Sequence, residues 1–209
     1  AKANVRDLSG AITCLRQSLK FNKNNIEARN LLGLVYFEMG EVVAALSEWV
    51  ISKNLRPKKN LADDYIEAIQ SNPTRLDTIN QTVKKYNLAL HYCYQDSKDL
   101  AIIQLKKVLS LNPRLIQGHQ LLALLYMDAE EWDKAKRELV KCCRIDTNNT
   151  TTLLYLKQAN FMLGGGDDSL QTAVKKRKNE SEEAVTYQSG NETIIQPLNV
   201  KEPKGTSSV

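Results

Sequence analysis

A pattern that returns after 34 residues constrains this chain more than any other feature. From Thr82 to Asn149 it carries Lys85-x-x-Leu88-Ala89-x-x-Tyr92, Ala101-x-x-x-Leu105 and Asn112-Pro113. The second copy reads His119-x-x-Leu122-Ala123-x-x-Tyr126 and Ala135-x-x-x-Leu139, each place 34 residues after its counterpart. A unit of that length holds two helices of roughly 14 residues and a tight turn, and it buries its apolar face only by stacking on neighbours. The small residues fix the geometry. Ala89 and Ala123 fall where the two helices of a unit cross, and Ala101 and Ala135 where one unit meets the next, so larger side chains there would hold the backbones apart.

The order of large, small, aromatic and small places is the tetratricopeptide repeat (TPR) signature. Composition agrees with it. Aromatic residues make up 6% of the 209, and a sandwich of this size needs far more Val, Thr, Tyr and Trp at alternating spacing. The expected fold is all-α, a right-handed α-solenoid of helix-turn-helix repeats with one inserted helix and a disordered C-terminal tail.

In chain order, the TPR region is expected over residues 1–163. Residues 1–25 read as a partial repeat, because 7–25 resembles a second helix whose first is missing, as in a piece cut from a longer protein. A full repeat follows at 26–59, with Leu32-Gly33-x-x-Tyr36, a turn at Met39-Gly40-Glu41, Ala45-x-x-x-Trp49 and Pro57. The period is then interrupted at 60–81. Leu61, Tyr65, Ile66 and Ile69 predict a short helix, and Asn72-Pro73 is an N-cap followed by proline at the first helical place. From there Leu76, Ile79, Val83, Tyr86 and Leu90 predict one long helix to about Tyr94, about 33 Å long, whose first turns project past the stack and need cover from the inserted helix. Repeats at 82–115 and 116–149 and a capping helix at 150–163 complete the region.

Gly164-Gly165-Gly166 then breaks the pattern, and 164–209 has linker composition, with a basic cluster at Lys175–Lys178 followed by Glu180, Glu182 and Glu183. Loose alternation over 184–200 is compatible with a weak hairpin.

The segments 31–54 (LLGLVYFEMGEVVAALSEWVISKN), 100–113 (LAIIQLKKVLSLNP) and 119–127 (HQLLALLYM) resemble the repeat domain of a bacterial family of TPR proteins with no assigned activity. The resemblance implies a zinc-ribbon-like cysteine motif before the repeats and one membrane span after a polar linker. Neither is present in these 209 residues.

The net charge of +5 is mild and interspersed, and no inner-face place carries Lys or Arg, so nucleic acid is not an expected partner. Cys14, Cys93, Cys142 and Cys143 have neither zinc-finger spacing nor the density of a disulfide scaffold, and read as free thiols. His91 and His119 lack ligand-spaced partners, and Cys142 sits at a small interior place; packing explains all three. Phosphate-loop, nucleophile-elbow and zinc-helix motifs are absent. No enzyme, cofactor or metal is expected.

What remains is the concave face, lined in such a superhelix by the first helix of each unit. That places Asn30, Leu34, Phe37, Tyr86, Leu90, Tyr94, Gln120, Leu124 and Met127 on or near it. A clamp for a terminal carboxylate needs Lys, Asn and Arg at such places. Only Asn30 fits, against Leu34, Leu90 and Leu124. An apolar groove with adaptable Met and rigid Tyr suits a hydrophobic or helical segment of another protein. The expected function is a protein-interaction scaffold, cytoplasmic and tethered to a membrane only through sequence beyond Val209. The alternatives are a regulatory accessory domain whose groove is self-filled and, from another class, a nucleic-acid-binding helical array.

Overall fold

The computed structural model describes residues 6–164, and the regular structure among them is entirely helical. The basic cluster and the 184–200 alternation lie outside the described residues. Nine helices follow in order among those described: α1 (Leu8–Phe21), α2 (Ile26–Glu38), α3 (Val42–Leu55), α4 (Leu61–Gln70), α5 (Pro73–Tyr94), α6 (Lys98–Leu111), α7 (Ile116–Asp128), α8 (Trp132–Ile145) and α9 (Thr150–Gly164).

The repeat is visible in its turns. The amides of Glu41, Ser97 and Glu131 donate to the carbonyls of Tyr36, Tyr92 and Tyr126 at 2.9, 2.9 and 2.8 Å, so the same tyrosine closes the same turn three times. The residue in the middle is left-handed each time: Gly40 at φ 78°, Asp96 at 55° and Glu130 at 58°. Arg6, at 58°, occupies the same place before α1. The small positions are packed as the pattern requires, with Ala45, Ala89, Ala101, Ala123 and Ala135 fully buried. At Gly33 a Cβ would lie 2.3 Å from the Trp49 indole nitrogen, which instead donates to the Asn30 carbonyl at 3.1 Å.

The inserted helix α4 and the first turns of α5 cover each other: Ile66, Ile69 and Ile79 share a core with Leu32, Tyr36, Ala45 and Trp49. Asn72 caps α5 by accepting from the Arg75 amide, with Pro73 at the first helical place. The stripe expected on α4 is corrected at its first member. Leu61 stands exposed, and Ala62 is buried in its place, its amide donating to the side chain of the buried cap Asn60 at 3.1 Å.

Helix α5 belongs to two blocks at once. Its beginning packs with α1–α4, while Ala89 sits in a second core with Ala101, Leu105, Leu122, Ala123, Tyr126, Ala135 and Leu139. A third, smaller cluster of Leu8, Val35, Met39, Ile116 and Cys142 joins the blocks on the far side from α5. Along this seam the Asp146 carboxylate accepts from the Leu8 amide at 3.0 Å, the Ser9 amide at 3.1 Å and the Ser9 hydroxyl. Asn112 donates to the Gly40 carbonyl at 2.7 Å, and the Ile116 amide to the Met39 carbonyl at 3.3 Å. The array therefore curls until its N-terminal turns meet its C-terminal loops, and the contour is closed twice, covalently through α3–α5 and non-covalently through the seam.

Candidate binding chamber

Curling shapes an open-sided cavity of about 1300 Å³. One wall is α5, which turns ten residues at three- and four-residue steps toward it, from Arg75 through Ile79, Val83, Tyr86 and Leu90 to Tyr94. The end of α2 and the start of α3 close one end through Phe37, Val42 and Val43. Leu111 and Leu115 stand beside Gly40 across the seam, and Leu121, Leu124 and Tyr155 of α9 complete the lining.

Of the nine inner-face residues expected from sequence, Phe37, Tyr86, Leu90, Tyr94, Gln120 and Leu124 line this chamber. Asn30, Leu34 and Met127 lie elsewhere. Asn30 is buried, and its side-chain amide donates at 2.8 Å to Asn60, the cap of α4. Leu34 packs on the Trp49 core, and Met127 is buried in the Ala89–Ala135 core. Gln120, the counterpart of Asn30 in the repeat, likewise hands its amide to the cap of the next helix, bonding Asn149 and Thr152 at 2.8 and 2.9 Å. The wall follows the closure of the ring and only partly the repeated face. That is why sequence register missed Arg16, Glu41, Glu48 and the early turns of α5, although the three-four spacing of Thr78, Ile79, Thr82 and Val83 marked their common side.

The charges gather at the α1–α4 end. Arg16 donates to the Tyr36 hydroxyl at 2.6 Å, Glu48 pairs with Arg29 at 2.8 Å, and Arg75 donates to the Ala68 carbonyl at 3.0 Å. Burial pushes the Glu41 carboxyl up to about 7, with Arg16 pulling the other way. Burial likewise raises the Tyr36 hydroxyl against the opposing Arg16. The rest of the lining offers amides, hydroxyls and hydrocarbon.

Neither histidine is placed for metal chemistry. His119 is buried between the Glu138 carboxylate at 2.6 Å and the Pro113 carbonyl at 2.9 Å, outside the chamber, and His91 is exposed at its rim. Burial opposes ionisation of Glu138, but hydrogen bonds from His119 and Lys141 outweigh it and hold the carboxyl below its usual range. Among the described residues no cluster of His, Cys, Asp and Glu could hold a metal ion, and no helix is long and apolar enough to cross a membrane. Cys142 is fully buried, and burial pushes its thiol up to about 12.

Among solved structures the chain is similar to two crystal structures of MamA. The first is 21% identical, with 87% of this chain and 95% of the other covered and a TM-score of 0.39. The second is 22% identical, with 90% of each chain covered and a TM-score of 0.40. It is also similar to the TPR domain of P58(IPK), at 18% identity, with 87% of this chain and 58% of the other covered and a TM-score of 0.45. No curated protein matches the chain. Residues 7–40 match the family described as TPR repeat, and this segment spans α1, α2 and the turn that follows.

Proposed function

We propose that the chamber takes up an apolar or helical segment of another protein, and that the domain is an interaction scaffold with no chemistry of its own. The observation that carries this reading is the chamber's size and lining. About 1300 Å³ walled by Phe37, Tyr86, Leu90, Tyr94 and Leu124 exceeds the roughly 300–1,000 Å³ of small-molecule sites and offers the rigid aromatic contacts that anchor peptide segments. The TPR match at 7–40 supports the same class of function. On this reading the domain works in the cytoplasm of a bacterium, held near a membrane by sequence beyond Val209, and takes protein rather than nucleic acid.

The experiment is the substitution Leu90→Asp, read by peptide binding and by chemical denaturation together. Leu90 is half-buried at mid-wall, so a carboxylate there meets the incoming apolar segment in a partly desolvated place and should abolish binding while stability falls by less than about 1 kcal/mol. A loss of several kcal/mol would make Leu90 a core residue of a self-filled array, and unchanged binding would place the partner site elsewhere.

A further inference from the structure

Glu41 and Glu131 occupy the same place, each the N-cap of the second helix of its unit, and they differ in one respect. Glu131 bonds to Lys134 three residues on, whereas the residue three beyond Glu41 is Ala44. No side-chain cap bond forms at Glu41, and nothing among the described residues donates to its carboxylate. Both are half-buried, but Glu41 lines the chamber and Glu131 does not. The other charges at this end have hydrogen-bond partners: Glu48 has Arg29, Arg75 has the Ala68 carbonyl, and Arg16, the cation whose field reaches Glu41, spends its hydrogen bond on the Tyr36 hydroxyl.

We propose that Glu41 is the specificity determinant of the chamber, selecting an apolar partner segment that carries a Lys or Arg and receiving that cation at the α1–α4 end. The inference rests on the reading of the chamber as a peptide site and adds to it the chemistry and direction of the occupant. A carboxylate without a donor, facing a cavity, is the acceptor that a charge-assisted hydrogen bond from the ligand completes. The apolar side chains of the same segment then lie along Tyr86, Leu90 and Leu124, which fixes its orientation. Arg16 on α1, Tyr36 on α2, Glu48 on α3, Arg75, Tyr86, His91 and Tyr94 on α5, and Tyr155 on α9 are the other titratable or charged groups lining the chamber. Arg16 lowers the affinity for a cation and Glu48 raises it. Because burial pushes the Glu41 carboxyl up to about 7, the selection strengthens as pH rises from 6 to 8.

A displayed library of random 12-residue peptides, panned at pH 8 on the full chain and on its Glu41→Gln and Leu90→Asp variants, tests this. The wild-type chain should enrich apolar peptides with one basic residue, the best of them binding about tenfold more weakly to Glu41→Gln and at pH 6. Leu90→Asp should enrich neither. Apolar peptides without a basic residue, or equal affinity for wild type and Glu41→Gln, overturn the role of Glu41 and leave the chamber reading standing. No apolar enrichment by the wild-type chain overturns both. Displacement of the selected peptides by an equal concentration of a synthetic peptide of residues 167–209 makes the chain's own tail the occupant and overturns the separate partner.

Discussion

Five residues before helix caps, Arg6, Gly40, Lys59, Asp96 and Glu130, share a left-handed backbone, and among them only Gly40 is free of the Cβ penalty such a conformation carries. Glu130→Gly should therefore raise stability by about 0.5–1 kcal/mol, measured by urea denaturation. Gly40→Ala should cost more than about 2 kcal/mol, because its Cβ would also lie 2.6 Å from the Leu115 amide across the seam. The sequence made Gly40 legible as a turn residue but said nothing of Leu115, 75 positions on. Glu41 was opaque for a similar reason: in the string it is an ordinary cap, and only the curl of the array brings it into the chamber wall. Its titration gives a second prediction at this scale. With its folded pKa near 7, above the ordinary 4.5, the folded state holds a proton that the unfolded state has released. Its contribution is complete below about pH 4.5 and is lost as pH rises through 7, a difference of roughly 3 kcal/mol. Glu41→Gln should flatten that part of the stability–pH curve. An identical slope in the two proteins would mean that the carboxyl is solvated.

Among the elements, α5 was the most legible, because a cap, a proline and an unbroken three-four stripe all point to one helix from Asn72 to Tyr94. Helix α4 was legible in extent and wrong in its first contact. The reason is Asn60, whose side chain accepts from the Ala62 amide at 3.1 Å and from Asn30 at 2.8 Å, and donates to Ser52 and to the Arg56 carbonyl, both at 3.1 Å. One buried amide thus ties α2, α3 and α4 together, and a polar residue between Lys59 and Leu61 gives no periodic sign of that. Asn60→Ala removes a cap and strands several buried donors, which should cost about 2–4 kcal/mol. Asn72→Ala removes only an exposed cap and should cost about 1 kcal/mol. Equal losses in thermal or chemical unfolding would deny Asn60 its bridging role.

The molecule as a whole is where sequence reading reached least, since a 34-residue period specifies how each unit meets the next and is silent on whether the last returns to the first. The repeat places supplied the stacked hairpins and, of the chamber's side chains, Phe37 on α2, Tyr86, Leu90 and Tyr94 on α5, and Gln120 and Leu124 on α7. The closure depends on partners up to 141 positions apart, such as Thr147 with Arg6, and these lie in a loop and a turn that share no local pattern. Asp146 is the group on which closure turns. It is fully buried, and its carboxylate receives the first amides of α1, a helix start that Asp7 also caps by accepting from the Gly10 amide. Asp146→Ala would leave the Leu8 and Ser9 amides and the Ser9 hydroxyl without acceptors in the seam, at a cost of roughly 2–4 kcal/mol. Each block keeps its own core, and α5 still spans both, so helix content should hold. The ring should open instead. Small-angle scattering should show a larger radius of gyration for the variant, and the peptide affinity of the chamber should fall because its two ends no longer face each other. An unchanged radius with lowered stability would show that the apolar cluster of Leu8, Val35, Met39, Ile116 and Cys142 holds the seam without the carboxylate, and that the chamber is a permanent feature of the fold.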